Sequence, residues 1–93
     1  MKDEDGWQFF IKLCLQVKSA KEFDQFFDLF LTMEEKNLLA SRCKIIQELL
    51  KDELPQREIA KQYNVSIAQI TRGSNALKRI DPKLQNFLRK IYE

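Results

Sequence analysis

Apolar side chains recur at intervals of three and four along this chain, so it reads as a succession of helices. The first runs from about Trp7 to Lys18. Trp7, Phe10, Ile11 and Cys14 share one face of it, while Phe9, Leu13, Leu15 and Val17 fill the others. A helix apolar most of the way round must be covered on more than one side. In so short a chain a second subunit is the natural cover, and a dimer is expected, with Trp7 as an anchor in the core or the interface. A second helix, Glu22 to Leu31, lines up Phe23, Phe26, Phe27 and Phe30 on one stripe, which points to core packing. Thr32 and Glu35 then form a capping box that closes this helix and opens the next. The third helix continues to about Lys51, with Leu38, Leu39, Ile45, Ile46, Leu49 and Leu50 as its apolar stripe. Near the end, Asp81-Pro82 is a cap followed by proline. It opens a last helix that carries Leu84, Phe87, Leu88 and Ile91.

Between the third and last helices lies the most informative stretch, PQREIAKQYNVSIAQITRGSNALK. Pro55 suits the first turn of a helix, where its missing N–H would lack a partner anyway. Asn64-Val65-Ser66 makes a tight turn, and Ile67 starts a second short helix with Ser66 as its cap. Ala60 is small enough for two helices to cross closely, and Val65 and Ile70 are spaced to hold the crossing. That is the spacing of a DNA-binding helix-turn-helix over residues 56–79. The expected architecture is therefore all-α: six helices in one domain over residues 1–93.

Composition narrows the function. Ninety-three residues make one small domain, with 44% apolar residues and seven phenylalanines to build a core. No apolar run approaches the ~20 residues that span a bilayer. The acidic start MKDEDGWQFF carries no signal-peptide pattern, so a cytoplasmic location is expected. Cys14 and Cys43 sit far apart at apolar helical positions and read as buried, reduced thiols. There is no histidine. Its absence removes the commonest general base, the usual nucleophile pairs and most zinc sites, so neither an enzyme nor a metal site is expected.

The net charge of +2 hides an asymmetry. Residues 1–54 hold eight Lys/Arg against eleven Asp/Glu, a net of −3, whereas residues 55–93 hold eight against three, a net of +5. The basic half carries the helix-turn-helix, as a phosphate-binding surface requires.

Two residues sit awkwardly in this pattern. Arg42 lies within the apolar stripe of the third helix, and its neighbours three and four positions away are Leu38, Leu39, Ile45 and Ile46. A guanidinium there must snorkel, pair with an acid of another helix such as Asp28, or meet a ligand. Gly73 falls inside a helical pattern, at a cost of about 1 kcal/mol relative to alanine. Either the helix ends at Gly73, or something approaches its backbone closely.

From Leu29 to near Ile91 these features resemble the bacterial Trp repressor family. LFLTMEEKNLLASRCKIIQELL, QRE and above all ITRGSNALK carry the resemblance. The resemblance implies an intertwined homodimer with two sites for L-tryptophan as corepressor and no other cofactor, acting on double-stranded operator DNA in a bacterial cytoplasm. It places Arg42 and Arg72 on opposite faces of the indole, with Arg72 also on the ligand carboxylate, Gly73 leaving room beside it and Ile46 lining the pocket. Leu29, Leu31 and Thr32 would come from the other subunit, where a helix end offers carbonyls to an ammonium group. For DNA it points to Gln56 and Arg57 on one helix, and to Ile67, Ala68, Gln69, Thr71 and Arg72 on the other, with Lys78 on phosphate. Ala60, Gln69, Pro55, Ala40 and Ala76 stand where Lys, Thr, Ser, Gly and Ser are familiar in the family. Gln69 in particular introduces a side chain that can pair bidentately with adenine. A DNA-binder that answers to another indole or to no ligand, and a helical protein-interaction module, are the competing readings.

Overall fold

Short polar side chains mark most of the helix starts in this protein. The computed structural model describes residues 3–92. Its helices are α1 (Asp3–Gln16), α2 (Ala20–Phe30), α3 (Met33–Lys51), α4 (Gln56–Tyr63), α5 (Ile67–Arg79) and α6 (Pro82–Tyr92), with no strand among the described residues. Ser19 Oγ accepts from the Glu22 N–H (3.1 Å) and so begins α2 earlier than the apolar stripe alone indicates. The Thr32 N–H donates to Glu35 Oε1 (2.8 Å), and the Glu35 N–H donates back to Thr32 Oγ1 (3.1 Å), the expected capping box. Asp81 Oδ1 accepts from the Lys83 N–H (2.8 Å), with Pro82 opening α6 as its sequence predicts. Pro55 differs from expectation by one position. It is the N-cap of α4, with φ −60° and ψ 151°, and precedes the first turn.

The chain divides into two compact units that meet between Lys36 and Asn37, within α3. In the first unit the α2 rings cluster with α1. Phe10 lies 5.6 Å from Phe26 and 5.4 Å from Phe30 between ring centroids, and Phe23 stacks on Phe27 at 5.3 Å. Trp7 stacks on Phe10 at 5.7 Å yet stays exposed, so it is no core anchor of this unit. Asp28 pairs with Lys36 at 2.6 Å, so the acid that could have neutralised Arg42 is already engaged. That bond raises the Lys36 pKa, against the opposing effect of desolvation.

The second unit is built on three isoleucines, one each from α3, α4 and α5. Ile45, Ile59 and Ile70 are fully buried, and Leu49, Leu54, Ala60, Tyr63 and Val65 pack against them. Ala60, Val65 and Ile70 thus sit at the helix crossing, as their spacing predicts. Asn64 turns the chain between α4 and α5 in the left-handed region, at φ 53° and ψ 48°. Asparagine tolerates that conformation better than other side chains with a Cβ. α5 does not stop at Gly73. It continues to Arg79 with Gly73 in its interior, and Gly73 is not left-handed. The expectation of buried thiols is also corrected: Cys14 is half-buried, and Cys43 is exposed with its Sγ 3.4 Å from the Tyr92 hydroxyl.

Candidate functional site

Helical spacing on two crossing helices brings the two awkward residues together. α3 presents Leu38, Arg42, Ile45 and Ile46, and α5 presents Gln69, Arg72, Gly73 and Ala76. On each helix these positions recur at intervals of three or four, so each set forms a single stripe. The two stripes wall an open cavity of about 450 Å³. This is a size ordinary for a small-molecule site. Its interior is apolar apart from two guanidiniums and one amide, and no carboxylate lines it. Arg42 has no ion-pair partner among the described residues.

Gly73 is a point of close approach. A Cβ there would stand 3.2 Å from Ile45 Cγ2, 3.4 Å from Leu49 Cδ1 and 3.7 Å from Ile46 Cδ1. The missing side chain therefore lets α5 press against α3 at the cavity wall. Of the expected ligand residues, Arg42, Arg72, Ile46 and Gly73 meet here, while Leu38, Ile45, Gln69 and Ala76 are additions. The stripe rule finds them once Arg42 and Arg72 are taken as facing one another. Leu29, Leu31 and Thr32 lie where α2 passes into α3. Leu29 is 78% exposed, and the Leu31 N–H caps α2 on the Phe27 carbonyl at 2.8 Å. The Thr32 carbonyl already accepts from the Lys36 N–H at 3.0 Å.

The start of α5 is held by a reciprocal pair. Ser66 Oγ accepts from the Gln69 N–H at 3.2 Å, and Gln69 Oε1 accepts from the Ser66 N–H at 3.2 Å. Expected as a DNA contact, Gln69 is half-buried, with its carbonyl end turned back on the helix start and its side chain in the cavity wall. The other expected DNA residues, Gln56, Arg57, Ile67, Ala68, Thr71, Arg72 and Lys78, are all exposed. Gln56 and Lys78 share a second cleft of about 410 Å³ with Arg89 of α6 and Asp52. Nothing in the α6 stripe relates Arg89 to α4, so the sequence carries no signal for it.

A brace steadies α4 on α3. The Tyr63 hydroxyl donates to Glu48 Oε1 at 2.6 Å, and Glu48 is only 8% exposed. Lys51 Nζ stands 3.8 Å from the same oxygen. The bond to Glu48 pushes the Tyr63 phenol above its usual pKa, with burial and the carboxylate charge adding to it. Tyr63 falls at the end of α4, and no sequence signal links it to Glu48 fifteen residues away.

Comparison with known proteins bears on the same region and beyond it. A profile of the Trp repressor protein family matches residues 5–92, well past the stretch from Leu29 onward that carried the resemblance. The Trp operon repressor homolog of Chlamydia caviae is 55% identical over 89 residues, which cover 96% of this chain and 88% of that protein. The Trp operon repressor homolog of Chlamydia trachomatis serovar D is 53% identical over 89 residues, 96% of this chain and 95% of that protein. The Trp operon repressor homolog of Vibrio vulnificus is 43% identical over 72 residues, 77% of this chain and 71% of that protein.

Proposed function

The chain belongs to the Trp repressor family, a regulatory family and not an enzymatic one, and from that premise we propose that it is a DNA-binding transcriptional repressor with L-tryptophan as corepressor. One observation carries the reading. The second helix of the helix-turn-helix is also a wall of the cavity, through Gln69, Arg72, Gly73 and Ala76. A ligand seated there touches the element that reads DNA.

The chemistry of the walls suits an indole. Arg42 and Arg72 offer guanidinium planes to an aromatic face, and Leu38, Ile45 and Ile46 offer apolar contact. Arg72 can pair with a carboxylate in two-pronged fashion. Ligand between α3 and α5 fixes the tilt of α5. Without it that tilt varies, and the ligand shifts the population toward the conformer it binds better. In a homodimer, two copies of α5 then enter successive major grooves about 34 Å apart. Leu84, Phe87 and Ile91, one stripe of α6, all stand exposed, which supports a second copy as cover, since an apolar helix face must be covered. No helix among the described residues is long and apolar enough to cross a membrane.

Selection of duplexes from a random pool, with and without saturating L-tryptophan, tests the reading. The expected result is enrichment of a two-fold symmetric site only with ligand present. Equal enrichment in both arms would remove the corepressor from the account. No enrichment in either would remove DNA.

A further inference from the structure

Gln69 occupies a position that no other cavity residue shares, because it belongs at once to the cavity wall and to the first turn of α5. Its two ends are chemically distinct. The carbonyl end, Oε1, accepts from the Ser66 N–H at 3.2 Å. The partner is a donor, so the oxygen must be the end turned toward it. That leaves the amino end, Nε2, with two N–H donors and no protein partner among the described residues. The remaining polar groups of the cavity are the Arg42 and Arg72 guanidiniums, which are also donors only. The wall therefore holds several donors and no carboxylate, against an apolar remainder. Such a lining selects a ligand that joins an apolar body to an acceptor-only anionic group.

We propose that Gln69 is a specificity-determining ligand contact, donating through Nε2 to the carboxylate of the bound aromatic amino acid while its Oε1 keeps the helix start closed. The inference rests on the corepressor reading above and adds to it a residue and a selectivity. A ligand that engages Nε2 holds the same side chain that caps α5, so the anionic end of the ligand steadies the first turn of the DNA-reading helix. An indole without a carboxylate fills the apolar part of the cavity and leaves that amide unused.

Gln69→Glu separates the two roles of the side chain. Glutamate keeps the acceptor and is itself a preferred partner in a capping box, so the helix start survives. It removes the donor and sets a negative charge beside the ligand carboxylate. Calorimetric titration of the wild-type protein and Gln69→Glu with L-tryptophan and with tryptamine, its decarboxylated counterpart, reads the difference. Losing a charge-assisted hydrogen bond predicts that L-tryptophan affinity falls at least about tenfold in Gln69→Glu. Tryptamine affinity is expected to hold or rise, and the thermal midpoint without ligand is expected not to fall. L-tryptophan affinity within about twofold of wild type, or an equal loss for both ligands, overturns the proposal and leaves the corepressor reading intact. Failure of the wild-type protein to bind L-tryptophan overturns both.

Discussion

Replacing Gly73 by alanine sets two effects of similar size against each other. Inside a helix alanine is favoured over glycine by about 0.8–1.0 kcal/mol, because glycine gives up more backbone freedom on folding. Against that stands the added methyl, 3.2 Å from Ile45 Cγ2. Optimal carbon contacts lie near 3.5–4.0 Å, so a few tenths of an ångström must be found. Leu49 Cδ1 and Ile46 Cδ1 end flexible side chains and can give way. Ile45 cannot do so easily: it is 2% exposed, and a β-branched side chain in a helix has essentially one χ1 setting. The shift therefore falls on the spacing of α3 and α5. Overpacking of this kind costs about 1–3 kcal/mol. The expected outcome for Gly73→Ala is a net loss of about 1 kcal/mol, together with weaker L-tryptophan binding because the methyl enters the cavity wall. Urea denaturation at a fixed protein concentration measures the first and calorimetry the second. Asn75→Ala, on an exposed position of the same helix, is the control and should gain a few tenths of a kcal/mol. A Gly73→Ala protein that gains the full helical increment and binds ligand as before would refute the close approach.

Three further outcomes follow from the same geometry. Tyr63 has a raised pKa, so its contribution to stability is complete below its ordinary value near 10.0 and is lost as pH rises through the shifted value. Thermal melts across the alkaline range should show this limb in the wild type and not in Tyr63→Phe; matching profiles would mean that the Glu48 contact is absent in solution. Ser66→Ala should cost about 1 kcal/mol in urea denaturation through loss of the α5 cap, while Ser66→Asp should be close to neutral. Arg42→Ala should weaken L-tryptophan binding and leave ligand-free DNA affinity unchanged, whereas Arg72→Ala should weaken both. Fluorescence anisotropy with the selected duplex distinguishes these from two equal, small effects, which would make both arginines ordinary surface groups.

Where local chemistry decides, sequence alone sufficed. The Thr32–Glu35 box, the Asn64–Ser66 turn and the Asp81-Pro82 start are each set within four residues, and each stands where the pattern places it. What the local pattern leaves open falls where distant residues decide. At Gly73, with Thr71, Ser74 and Asn75 around it, the sequence allows either a helix end or a close approach to the backbone. α5 passes through it because Ser66 caps one side and Ile70 is buried between α3 and α4. Tertiary packing overrides weak propensity in that way routinely. Arg42 was legible as misplaced because charge on an apolar stripe demands a reason. The direction Gln69 faces has a local signal, because Ser66 and Gln69 stand at the capping-box spacing that also marks Thr32 and Glu35, whereas the resemblance points Gln69 to DNA. Ile59 carries no local signal: an isoleucine between Glu58 and Ala60 gives no hint that three helices converge on it.

The two stripes of α5 also bear on how such a regulator can change over generations. Gln69, Arg72, Gly73 and Ala76 face the cavity, while Ile67, Ala68 and Thr71 lie exposed on the same thirteen-residue helix. Arg72 is the one residue assigned to ligand and DNA alike that also lines the cavity without a tie to the helix cap. On the proposed reading, substitutions at positions 67, 68 and 71 readdress the protein to other operators while its response to the metabolite is kept. Substitutions at positions 73 and 76 retune the response and keep the address. Arg72 is the hinge of that independence, and a lineage that loses it forfeits both traits in one step.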